Sequence, residues 1–117
     1  MHQESIPCRL RTARKRSGLS QAEVANLLGF SEEITVSRHE RSVTIPSLLT
    51  ALGYQVIFRT SISELFPGIY RTVESNIEEQ LAKLEEKLHQ STLKGRQAIP
   101  IARQLEFLNE RKNEPTN

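Results

Sequence analysis

The sequence predicts an all-α protein in two parts, a compact helical domain over residues 1–67 and a helical extension over 68–117. Three observations predict it. Apolar residues recur at helical spacing throughout, and no strand-like alternation runs longer than four residues. Helix-opening Ser-x-x-Glu signals stand at Ser20–Glu23 and Ser61–Glu64, and glycines that close helices stand at Gly18 and Gly29. Beyond Pro67 the pattern narrows to one apolar stripe on an otherwise charged helix.

The elements follow in order. Pro7 suits the first turn of a helix with Leu10 and Ala13 inward and Gly18 as its stop. In the Ser20-Gln21-Ala22-Glu23 box, serine and glutamate satisfy each other's backbone N–H groups; the helix it opens turns Val24, Ala25, Leu27 and Leu28 inward and ends at Gly29. Ser31 is the expected N-cap of a third helix, 32–41, whose first-turn acids Glu32 and Glu33 complement the helix dipole. After a loop at 42–46, Ser47 caps a fourth helix built on Leu48, Leu49, Leu52, Val56 and Ile57. Ser61 opens a short fifth helix, which Pro67 interrupts.

In the extension, Val73, Ile77, Leu81, Leu84 and Leu88 form a narrow stripe at helical spacing on a helix of about 22 residues, long enough to pair with another helix. The stripe can fold back on its own domain, pair with the last helix, or dimerise. Thr92–Ala98, with Gly95, reads as a break. Pro100 begins a final helix with Ile101, Leu105 and Leu108 inward, and Asn113–Asn117 reads as a frayed tail.

Composition narrows the function. The formal net charge of the 117-residue chain is only +2, but its distribution is uneven. Arg9, Arg11, Arg14, Lys15 and Arg16 cluster with no acid among them, whereas Gly68–Ser91 carries Glu74, Glu78, Glu79, Glu85 and Glu86. No run of residues approaches the ~20 apolar residues of a membrane span. A lone Cys8 cannot form an internal disulfide, which together with the absence of an N-terminal apolar run fits a cytoplasmic protein. His2, His39 and His89 share no ligand spacing with Cys8, so no metal or other cofactor is expected. No nucleophile–base pair, phosphate loop or catalytic carboxylate pair stands out, so no enzyme is expected either.

Two short helices joined by a glycine-bearing turn behind a basic helix suit major-groove recognition. The segments Leu10–Arg14, Gly18–Ala25, Leu28-Gly29, Val36–Arg41 and Pro46–Leu48, in that order, resemble the Cro/C1-type helix-turn-helix family of phage repressors, bacterial regulators and antitoxins. The resemblance covers about residues 8–66. It implies a five-helix lambda-repressor-like DNA-binding domain, followed here by the long helix and a shorter final one. Position by position, it implies that Glu33, Ile34, Thr35 and Arg38 face bases. It implies that Gln21 and Arg41 grip phosphates, and Arg9, Arg11, Lys15 and Arg16 are candidates to join them. It pairs Arg14 with Glu40 as a structural tie between the first and third helices. Since the family reads paired half-sites, the stripe Val73, Ile77, Leu81, Leu84 and Leu88 is expected to dimerise. The chain departs from the family in four respects: the stretch from Gly29 to Val36 is one residue longer, Ser42 stands where glycine is usual, His39 replaces a more apolar residue, and Glu32 and Glu33 place acids near the phosphates.

The expected function is therefore a sequence-specific transcription regulator, a repressor, whose partners are double-stranded DNA and a second copy of itself, with no membrane. An antitoxin repressing its own operon, with a cognate toxin as partner, is the alternative within the DNA-binding class. An interaction adaptor that kept the fold without DNA binding is the alternative outside it.

Overall fold

A computed structural model describes residues 8–95 and 99–113, and among these every regular element is a helix. There are seven: α1 (Leu10–Ser17), α2 (Gln21–Leu27), α3 (Ile34–Glu40), α4 (Leu48–Phe58), α5 (Ile62–Leu65), α6 (Pro67–Leu93) and α7 (Ile99–Asn113). Pro7, Ala98 and the tail beyond Asn113 lie outside the described residues. The chain divides into two compact units, Met1–Thr72 and Val73–Asn117. That boundary falls inside α6 rather than at Pro67. Gly68 is buried and Ile69 packs on the first unit's core, so the opening turn of α6 belongs to that unit.

Local chemistry sets the helix ends. At α2 the expected box forms: the Glu23 N–H donates to Ser20 Oγ (3.0 Å) and the Ser20 N–H to Glu23 Oε1 (2.8 Å). Those bonds hold the Glu23 carboxyl below its usual range. The α2 C-terminus closes as a Schellman motif with Gly29 at φ 82°, the Phe30 N–H reaching Ala25 O (2.9 Å) and the Gly29 N–H reaching Asn26 O (3.0 Å). The end of α3 repeats this design, with Val43 N–H on Arg38 O (2.9 Å) and Ser42 N–H on His39 O (3.2 Å). Here the left-handed position is filled by Ser42 at φ 59°, which is the physical reason glycine suits that site better. Ser47 and Ser61 cap α4 and α5 by accepting from the N–H groups of Thr50 and Glu64. Pro67 opens α6, where a missing N–H costs nothing.

One boundary differs from expectation. α3 starts at Ile34 with Glu33 as its N-cap, so Ser31 caps nothing and Glu32 and Glu33 precede the first helical turn. The longer connection after Gly29 is taken up as turn, not as helix.

The first unit's core joins Leu10, Val24, Ala25, Val36, Tyr54, Leu65 and Phe66, with Leu19, Leu28, Phe30 and Ile57 packed against it. Burying a side chain such as Leu10 or Leu65 contributes about 1.5–3 kcal/mol. Tyr54 is the largest fully buried side chain, with Phe66 and Phe58 rings 6.2 and 6.5 Å away.

Tyr54 also corrects the reading of α4. Ala51 and Tyr54 turn inward, whereas Leu48, Leu49, Leu52 and Val56 are exposed. α4 is apolar nearly all round, so periodicity could not choose its inner face. Packing does: a Cβ at Gly53 would lie 2.5 Å from Leu28 Cδ2, so only the small-residue side of α4 fits against α2. Leu27, expected inward, is likewise exposed, while Leu28, also expected inward, packs against the core.

In the second unit, Arg111 pairs with Glu78 (2.7 Å) and Lys112 with Glu85 (2.9 Å), bringing α7 alongside α6. Leu88 and Leu108 are buried there, and Leu81, Ile101 and Leu105 are half-buried. Part of the stripe is thus used within the chain, while Val73, Ile77 and, to a lesser extent, Leu84 stay exposed.

Candidate functional site

The α2–α3 pair and the basic helix α1 are joined by one polar cluster. Arg14 on α1 grips Glu40 on α3 with two parallel bonds, Nε donating to Oε2 and Nη2 to Oε1, the second at 3.2 Å. Its Nη1 donates to Leu19 O (3.0 Å), bracing the turn before α2. The Glu40 side chain is 2% exposed and the Arg14 side chain 11%. The bond to Glu40 raises the Arg14 pKa further above its already high value, so the guanidinium stays charged. Gln21 Nε2 donates to the same Glu40 oxygen as Nη2 (3.0 Å). Gln21, singled out as a phosphate grip, therefore has one amide hydrogen committed inside the protein, which fixes its orientation at the start of α2.

A second buried pair supports α3 from below. His39 Nδ1 and the Tyr54 hydroxyl lie 2.7 Å apart, with the rings edge to face. Burial pushes the His39 pKa down, and burial followed by the charges of Glu40 and Cys8 pushes the Tyr54 phenol up, so both stay neutral. The Cys8 thiol faces the His39 carbonyl, and burial raises its pKa as well, which makes it a packing group and a poor nucleophile. These partners were not legible as a pair in the sequence, since fifteen residues and a loop separate them.

This pair carries a pH prediction. The unfolded chain takes up a proton at His39 near pH 6.5, and the folded chain only at lower pH. Below about pH 6.5 the unfolded state thus binds more protons, and stability falls as pH falls. Urea unfolding at pH 7.5 and 5.5 is expected to show a loss that His39→Gln, which keeps a partner for Tyr54, largely removes. An equal loss in both proteins would refute the assignment.

The outward face of α3 is set by what lies inward. Val36, His39 and Glu40 are buried, so Ile34, Arg38 and Arg41 share the solvent face at i, i+4 and i+7. Thr35 sits half-buried on the flank, and Glu33 is exposed just ahead of the helix. Arg41 Nε donates to Ser37 Oγ (3.2 Å), a contact at i, i+4 that holds the guanidinium close to the helix. Ser37 was not among the expected site residues, although its spacing from Arg41 was the signal for it.

The α1 cations do not share one face. At about 100° per residue, Arg11 and Lys15 lie within about 100° of Arg14, on the flank next to α3. Arg9 and Arg16 lie on the opposite flank and line a groove of about 610 Å³ with Ile57, Phe58, Ser63 and Glu64.

Compared with protein-family models, curated proteins and solved structures, the chain matches none.

Proposed function

We propose that this chain is a sequence-specific DNA-binding transcription regulator, a repressor of the Cro/C1 type, acting as a cytoplasmic homodimer. In this reading Met1–Thr72 is a lambda-repressor-like domain whose α3 enters the major groove, with no cofactor and no catalysis. The observation that carries it is the outward triad Ile34, Arg38 and Arg41, presented by a short helix whose back is locked by the Arg14–Glu40 pair and His39. A rigid helix with polar and apolar ends on its free face is what direct readout requires. Gln21 at the start of α2, and Arg11 and Lys15 beside α3, supply N–H groups and charge for the phosphates on either side.

The tests are selection of bound sites from random duplexes and a salt series on the selected site. Binding is expected to weaken steeply with salt. Arg11→Ala and Lys15→Ala are each expected to flatten the log–log slope by about one unit, and Arg9→Ala and Arg16→Ala by clearly less. Salt-insensitive binding, or no selected sequence, overturns the reading. The exposed acids Glu32 and Glu33 ahead of α3 then favour the interaction adaptor.

A further inference from the structure

The outer side of α4 is an apolar surface that the proposed function leaves unexplained. Leu48, Leu49 and Val56 are 73%, 82% and 72% exposed, Leu52 lies among them, and the loop leading into the helix adds exposed Val43 and Ile45. At helical spacing the four α4 side chains fall within about 100° of arc, so they form one strip rather than scattered points. At these exposures the six residues present roughly 600–700 Å² of surface, above what a monomer usually leaves bare and close to the ~800 Å² a side of a standard interface. A helix apolar on every side is a helix made to be covered on every side. The first unit covers Ala51 and Tyr54 and leaves this strip to something else.

We infer that the strip binds the same strip of a second copy, with α4 against α4 across a two-fold axis. The charge pattern selects this occupant. From Ser42 to Phe58 there are seventeen residues without a single Asp, Glu, Lys, Arg or His, in a chain that is 26% charged. Next to a two-fold axis each residue faces its own copy, so any charge there meets a like charge. A charge-free face is what self-pairing needs, and it offers nothing for a charged partner to complement. The stripe on α6 is the weaker candidate: Val73 and Ile77 are exposed, but they alternate with Glu74, Glu78 and Glu79, and Leu88 is already buried within the chain. This pairing does not depend on DNA being the ligand.

Sedimentation equilibrium of the full-length protein without DNA tests it. A dimer at low micromolar concentration is expected. Leu49→Glu is expected to raise its dissociation constant at least about 100-fold, because the two carboxylates would face each other. Leu48→Gln is expected to weaken it in the same direction, and Ile77→Glu to leave it within about threefold. Leu49 is so exposed that its replacement leaves the core intact, which unchanged circular dichroism and melting at monomer concentrations verify. A wild-type protein that stays monomeric at 100-fold higher concentration overturns the proposal. A dimer that survives Leu49→Glu, or one that only Ile77→Glu breaks, overturns it too.

Discussion

Glu40→Ala is expected to destabilise the first unit by about 3–5 kcal/mol, one of the two largest effects among the polar residues of this chain. The Glu40 carboxylate accepts three bonds, two from Arg14 and one from Gln21, in a place where its side chain is 2% exposed. Deleting it leaves a guanidinium with one remaining bond, to Leu19 O, and leaves the Gln21 amide unmatched. Arg14→Ala strands the opposite charge, which is the deeper of the two, so its cost is expected to equal or exceed that of Glu40→Ala. A unit of this size loses about 4–8 °C of Tm per kcal/mol, so either variant is expected to melt well over 10 °C lower. The two effects are not independent, because each single variant pays for an uncompensated charge that the double variant lacks. A double-mutant cycle is therefore expected to show coupling of up to about 3 kcal/mol. Additive losses would mean that the two side chains act separately, and that α1 and α3 are held together by the apolar core alone.

The same pair marks how far the sequence was legible. Helix ends were readable where a side chain declares them: Ser20 with Glu23, Ser47, Ser61 and Gly29 each cap as their chemistry demands. The start of α3 was not, because Ser31 and two glutamates imitate an N-cap and an acidic first turn while the chain spends them on the turn. The inner face of α4 was not readable either. A charge-free helix contains no polar side to point outward, and its orientation follows from the close approach of Gly53 to Leu28 and from the reach of Tyr54 to His39. Both are facts of tertiary packing. Among the site residues, the outward position of Arg38 followed from spacing, but that of Thr35 did not. Ile34 shares the exposed face of Arg38 four residues on, while Thr35, three residues before Arg38, is half-buried at its edge, which only the packing of α3 could show. The α1 cations looked like one cluster because five fall within eight residues, yet a helix distributes eight residues round its whole circumference.

Arg38→Ala is expected to remove discrimination at one base pair in each half-site, worth about 1–3 kcal/mol. Two arginines stand on the free face of α3, and the structure treats them differently. Arg41 is tied by Nε to Ser37 Oγ, which keeps its head beside the helix and suits a contact with the phosphate backbone. Among the described residues, no hydrogen bond or ion pair holds the Arg38 side chain, while its backbone is fixed by the carbonyl that closes the α3 C-terminus. A fixed root and a free head are what a base-reading arginine needs: the planar fork can offer two parallel N–H groups to guanine O6 and N7, and no other base matches them. Arg41→Ala is expected to weaken all sequences alike, leaving the preferred site unchanged and the salt slope about one unit flatter. Selecting sites with each variant separates the roles. If Arg38→Ala keeps the wild-type preference and loses only affinity, Arg38 positions the protein, and readout falls to Ile34 and the flanking Thr35. If Arg41→Ala shifts the preference instead, the Ser37 contact is broken on binding, and the two arginines exchange the roles proposed for them.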